Sequence, residues 1–138
     1  MRVEFEIPGK PVGKGRPRMT RAGHTYTPKE TVNYENLVKA CYPGERFPED
    51  AQLHVTITAW YEIPKSVSKK RYQSMLNLEE KPTKTPDCDN VAKAVCDALN
   101  HIAYRDDAMV VSLTVNKYYG IEPRVQVLIF DEVEDERN

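Results

Sequence analysis

Between Leu53 and Tyr61 the chain alternates without a fault, with Leu53, Val55, Ile57, Ala59 and Tyr61 on one side and His54, Thr56, Thr58 and Trp60 on the other. That period of two belongs to a β-strand, because a helix would scatter the same apolar side chains around its axis. A strand with one apolar face must be covered by another layer. From Asp89 onward Val91, Val95, Ala98, Leu99 and Ile102 recur at spacings of three and four, which predicts a helix that buries one side against a sheet.

The remaining pattern fits the same scheme. Arg2 to Pro8 alternates with Val3, Phe5 and Ile7 on one face, and predicts a first strand. The segment GKPVGKGRPRMTRAGHTYT is rich in Gly, Pro and cations and reads as an extended loop. Thr27-Pro28-Lys29-Glu30 carries a helix-start signature, with Thr27 able to cap and Glu30 able to complete a capping box, so a helix should run to about Ala40. Ser66 to Leu78 reads as a short basic helix with Val67, Tyr72, Met75 and Leu76 as its apolar side. Met109, Val111, Leu113 and Val115 alternate through Lys117, and Val125, Val127 and Ile129 do so after the Gly120 to Pro123 turn, which suggests an antiparallel hairpin. The predicted class is α+β, a mainly antiparallel or mixed sheet with helices packed against it.

At 138 residues the chain suits one domain, 1–138, with a single core. No apolar run reaches the roughly 18 residues of a membrane span, and MRVEFEIPGK lacks a signal peptide's apolar block, so a cytoplasmic protein with no membrane partner is expected. Cys41, Cys88 and Cys96 match no zinc template and read as small reduced residues. The net charge of −1 hides an uneven distribution, because residues 131–138 hold five acids and one arginine. This acidic stretch reads as a frayed tail. Without its −4 the rest of the chain stands at +3.

PTKTPDCDNVAKAVCDALNHIAYRDD carries the chemistry. Asp87 and Asp89 stand one residue apart at a helix start, Lys93 follows one turn later, and Asp106 and Asp107 close the segment. Carboxylates crowded into one place repel, so a cluster kept ionised points to a hard divalent cation with oxygen ligands, and the nearby amine to metal-assisted phosphodiester cleavage. Asp89 is placed to cap the helix, which is also the plain structural explanation for a lone acid there. At about 1.5 Å rise per residue, Lys93 stands roughly 6 Å above Asp89 and Asp97 roughly 12 Å above it. Asp97 is therefore read as pairing with Lys93 and aiming its amine toward the metal, or as half of an exposed ion pair.

PDCDNVAKAVCDALN followed by YRDD, with GKPVGKGRPR and TYTP upstream, resembles the RusA-type Holliday junction resolvases, small endonucleases carried by bacteria and their prophages. The resemblance runs from the first strand to the last. It implies a magnesium-dependent homodimer, with Mn²⁺ able to substitute, that nicks two opposed strands of a four-way DNA junction in recombination and repair. It also implies that Asp87, Asp89 and Asp107 bind metal, with Asp106 beside them, that Lys93 is essential, and that Asn90 and Asp97 support the site. Two positions depart from the family pattern. Cys88 stands where an apolar residue is common, and His101 where a glycine often follows the asparagine.

From Ile7 to Lys29 there are six cations and no acid. Lys10, Lys14, Arg16, Arg18 and Arg21, interleaved with Gly and Pro, could track a phosphate backbone, and Lys69 and Lys70 could extend that surface. A solvated cationic loop is the plain alternative. GKPVGKG has too few residues before its GK and no following Ser or Thr, so no nucleotide cofactor is expected. Two rival functions stay open at this point. One is a non-catalytic protein that binds branched DNA; the other, which the long basic track argues against, is an enzyme acting on a small phosphate ester.

Overall fold

The computed structural model describes residues 1–131. Its strands are β1 (Arg2–Pro8), β2 (Arg18–Met19), β3 (Thr25–Tyr26), β4 (Leu53–Glu62), β5 (Val110–Gly120) and β6 (Arg124–Asp131). Its helices are α1 (Lys29–Cys41), α2 (Lys69–Leu76) and α3 (Cys88–Ala98), with a 3₁₀ turn at Asp107–Met109. The main sheet runs β1-β6-β4-β5, and β2 and β3 form a small separate hairpin inside what the sequence presents as a plain loop. The architecture is α+β, as the sequence predicts.

β6 is antiparallel to both β1 and β4, whereas β4 and β5 run parallel. The expected β5–β6 hairpin is therefore absent, because β4 lies between its two arms. Burial explains the choice. Val125, Val127 and Ile129 are 0–2% exposed and need a neighbour on each side, while Val111 and Leu113 remain about half exposed on the β5 edge. A parallel pair needs a long crossover. Here α2, the acidic segment and α3 together make that crossover, which sets the motif beside the start of β5.

One face of the sheet is packed. Val3, Ile7, Val55, Ile57, Ala59 and Ile129 join Val38 of α1 and Val91, Val95 and Leu99 on α3 in one core. The other face is a polar ladder: Trp60 Nε1 donates to Gln126 Oε1 at 2.8 Å, Gln126 Nε2 donates to Glu6 Oε1 at 2.8 Å, and Arg124 lies over the Trp60 ring.

Several local expectations are corrected. α1 begins after Pro28 with no side-chain cap, so the Thr27 capping box does not form. α2 starts later than expected because Ser68, not Ser66, accepts the Arg71 N–H. Tyr72 and Ile102 are exposed, not packed. Asp131, placed in the frayed tail by sequence, ends β6, is buried and pairs with the Met1 amine at 3.2 Å. Residues 132–138 lie outside the described residues.

His101 has φ of 68°, a backbone conformation that glycine adopts without cost. Glycine would therefore be the less strained residue at this position. His101→Gly is expected to stabilise the protein by about 0.5 kcal/mol, as relief of roughly 1–2 kcal/mol of strain is partly cancelled by roughly 0.5–1 kcal/mol of added chain entropy. A urea melt checks it, with the midpoint rising at constant m-value.

Candidate active site

Asp87, not Asp89, caps α3. Its Oδ1 accepts the Asn90 N–H at 3.0 Å from an extended backbone, leaving Asp89 in the first turn, where the helix dipole favours a negative charge. Asp89, Lys93 and Asp97 then fall on one stripe of α3, at i, i+4 and i+8. Facing them across a cavity of about 430 Å³ are Asp107 and the first residues of β5, Val110 to Leu113. Asp87 and Asp106 do not line this cavity.

Asn100 sets the far wall. Its Oδ1 accepts the Asp107 N–H at 2.8 Å, while Asp106 Oδ1 accepts the Ala108 N–H at 2.9 Å and so caps the 3₁₀ turn. Buried Tyr104 anchors the same turn, accepting the His101 N–H on its carbonyl and donating its hydroxyl to the Cys96 carbonyl. Sequence reasoning missed Asn100, although it stands in the quoted motif. Nothing in a sequence string says which amide holds a distant backbone.

The electrostatics of the two neighbouring acids diverge. Partial burial, then the Asp106 carboxyl and then Asp97, hold the Asp107 carboxyl above the usual range. The Ala108 N–H first, then Asp107, hold Asp106 below it. Cys96 also borders the cavity, but burial pushes its thiol up to about 11, so at neutral pH it offers no thiolate and the available donors are oxygens.

Asp97 does not pair with Lys93. Its partner is Lys14, at 3.4 Å, which also binds Glu35 of α1 at 2.7 Å. Burial lowers the Lys14 pKa, but the Glu35 and Asp97 carboxylates outweigh it and hold the ammonium above its usual range. Lys93 has no ion-pair partner among the described residues and is exposed beside the acids.

The Lys14 N–H also donates to the Asn90 carbonyl at 3.0 Å, and the Gly15 N–H to Thr31 Oγ1 at 3.0 Å, which ties the basic loop to the starts of α3 and α1. Only glycine permits so close an approach: a Cβ on Gly13 would stand 2.9 Å from Pro86 Cβ, and one on Gly15 would stand 2.6 Å from Thr31 Oγ1. Lys10, Lys14, Arg16 and Arg18 line a second, larger cleft of about 840 Å³, joined by Lys65 and Lys84. Asn90 lines this cleft as well, not the acid cavity. Arg21, Lys69 and Lys70 do not line the cleft; Arg21 lies in the exposed turn between β2 and β3, and the two lysines open α2.

Two cavities thus meet at the first turn of α3, one acidic with a lone ammonium and one basic. Residues 8–130 match the family model described as Endodeoxyribonuclease RusA. The chain belongs to the RusA family. A protein of Bacillus subtilis (strain 168), "Uncharacterized protein YqaN", is 38% identical over 135 residues, covering 92% of this chain and 94% of YqaN. RusA-family membership makes the chain one of a group of endodeoxyribonucleases that act on Holliday junctions. No helix among the described residues is long and apolar enough to cross a membrane.

The donor set suits a hard cation in kind, since carboxylate oxygens are what Mg²⁺ prefers. Burial first, and then the neighbouring Asp106 and Asp97 carboxyls, raise the Asp107 carboxyl, and a cation would relieve the part due to those neighbours. Among the described residues no three carboxylates, histidines or cysteines stand close enough together to hold a metal ion as they are. Carboxylates that repel one another have no reason to converge without a cation between them.

Proposed function

We propose that the chain is a Mg²⁺-dependent, structure-selective endodeoxyribonuclease that resolves four-way DNA junctions by paired nicks. The observation that carries this reading is the Lys93 ammonium, without an ion-pair partner among the described residues, standing beside Asp89 and facing Asp107 across one cavity in a RusA-family chain. Asp89 and Asp107, with the second oxygen of Asp87, would hold Mg²⁺ or Mn²⁺, which supplies an acidified water and neutralises the scissile phosphate. Lys93, a compact charge on a fixed helix, stabilises the negative charge that builds on the phosphorane oxygens. Asn100 holds Asp107 in place through its backbone, and Lys14 keeps Asp97 from competing for Lys93. One such acid cavity is formed among the described residues, and resolution needs two nicks on opposed strands, so two copies related by a two-fold axis act together.

A second reading, a branched-DNA-binding protein without catalysis, draws on Asp87 and Asp106 serving as caps. Incubating the protein with a synthetic four-way junction, with and without Mg²⁺, separates the two. Symmetric nicks only with metal support the nuclease; tight binding with no nicks in Mg²⁺ or Mn²⁺ supports the binder.

The cations of the basic loop should split by role. Arg16→Ala combined with Arg18→Ala is expected to weaken binding to the four-way junction and to lower the salt slope by roughly one to two units, at about 0.9 per lost phosphate contact. Lys14→Met should leave the slope unchanged and instead cost about 2 kcal/mol of stability, the scale of hydrogen bonds to charged groups. Anisotropy across a salt series and a denaturant melt of each variant make the comparison.

A further inference from the structure

The larger cleft has features that its place on a basic surface does not explain. Cations reach the cleft from separate segments, Arg16 and Arg18 from the loop and Lys65 and Lys84 from the segments after β4 and before α3, against two acids, Glu30 and Glu62. None of these four cations has an ion-pair partner among the described residues. Its floor is apolar, formed by Tyr61 and Ile63 together with Pro86, whose carbonyl accepts the Tyr61 hydroxyl. Cations around an apolar floor suit a polymer with charged edges and flat bases.

Size selects the form of that polymer. A cleft of about 840 Å³ is the size of a ligand pocket, where sites run from roughly 300 to 1,000 Å³. A duplex, whose major groove alone is about 12 Å wide, could rest only on the mouth of such a cleft, whereas single bases and their phosphates can lie within it. Successive residues on the first turn of α3 face different cavities, Asn90 the cleft and Asp89 the acids. A strand lying in the cleft therefore leaves it beside the acid cavity.

We infer that this cleft binds unpaired DNA, a short single strand peeled from the branch point and held by Arg16, Arg18, Lys65 and Lys84. The inference rests on the reading of the chain as a branched-DNA nuclease, and it adds that the junction is locally opened on binding.

The test measures binding in EDTA, so that it does not depend on cleavage. Fluorescein-labelled single strands of about eight nucleotides, within the span that single-strand folds cover, are compared with a blunt duplex of the same sequence. The wild-type protein is set against Lys65→Ala/Lys84→Ala, two exposed positions whose loss should leave the melting temperature unchanged. Single-strand affinity should fall by roughly tenfold or more and its salt slope by about 1.4, at about 0.7 per contact, with duplex affinity changed by less than about twofold. Unchanged single-strand affinity, or an equal loss on duplex, overturns the proposal. It is also overturned if inorganic pyrophosphate, and not the oligonucleotide, raises the melting temperature of the wild-type protein. Failure of the nuclease reading would show separately, as absence of nicks in Mg²⁺ from a protein that still binds the single strand through Lys65 and Lys84.

Discussion

Asp89→Asn and Asp107→Asn should each lower Mg²⁺-dependent nicking of a four-way junction by roughly three orders of magnitude, since several kcal/mol of charge stabilisation are lost at about 1.36 kcal/mol per factor of ten. Junction binding in the same variants should be unchanged or tighter, because each removes a negative charge near the phosphates. Single-turnover cleavage and a gel-shift titration read the two quantities separately. A variant that nicks at close to the wild-type rate removes that residue from the site.

Asp107→Asn carries a second, thermodynamic signature. The Asp107 carboxyl sits above its ordinary value near 3.8 in the folded chain, so between those two values the native state binds more protons than the unfolded one. Its contribution to stability therefore falls as pH rises through that window, and at neutral pH the ionised group opposes folding. Asp106 runs the other way: its carboxyl is held low, and what it contributes is lost as pH drops below 3.8. In EDTA at neutral pH, Asp107→Asn should melt higher than wild type. Mg²⁺ should then raise the wild-type melting temperature by binding the native state, and raise that of the variant less. A variant that melts lower in EDTA would mean that Asp107 is held in place by contacts worth more than its repulsion from Asp97 and Asp106.

The shared helix face of Asp89 and Lys93 was legible because it is local in sequence, and what surrounds that face was hidden because it is not. Asp89 and Lys93 share a face by helical geometry alone, and the period-two runs at Arg2–Pro8 and Leu53–Glu62 became strands with nearly the expected bounds. Pairing is different in kind. Alternation in β5 and β6 states which side of each strand is apolar and leaves open which neighbour it takes, so the parallel β4–β5 pair could not be read. Asp89 reads as the helix cap on paper, whereas Asp87 takes that place in the fold. Asp97 was assigned to Lys93 by its spacing of four, yet Lys14 arrives from the N-terminal loop with a second carboxylate already bound and takes it. Lys65 and Lys84 carry no sequence signal of their own, although Lys84 stands just ahead of the acid motif, and they acquire meaning only where separate segments line one cleft.

Asp87 should separate into two roles that different substitutions remove one at a time. Asp87→Ala deletes the acceptor for the Asn90 N–H and should destabilise the protein by about 1 kcal/mol, the usual cost of losing a helix cap. Asp87→Asn and Asp87→Ser keep a capping oxygen, so both should melt close to wild type. If the second oxygen of Asp87 reaches the metal, these well-folded variants should still lose cleavage by roughly two to three orders of magnitude, because the cap survives but the ligand charge does not. Raising Mg²⁺ should recover part of the rate in Asp87→Asn, whose amide oxygen remains a weak ligand, and less in Asp87→Ser. Near wild-type cleavage in both would assign Asp87 to the helix alone. The acid pair that draws the eye in the sequence would then be one cap and one ligand, with Asp107 supplying the second carboxylate from across the cavity.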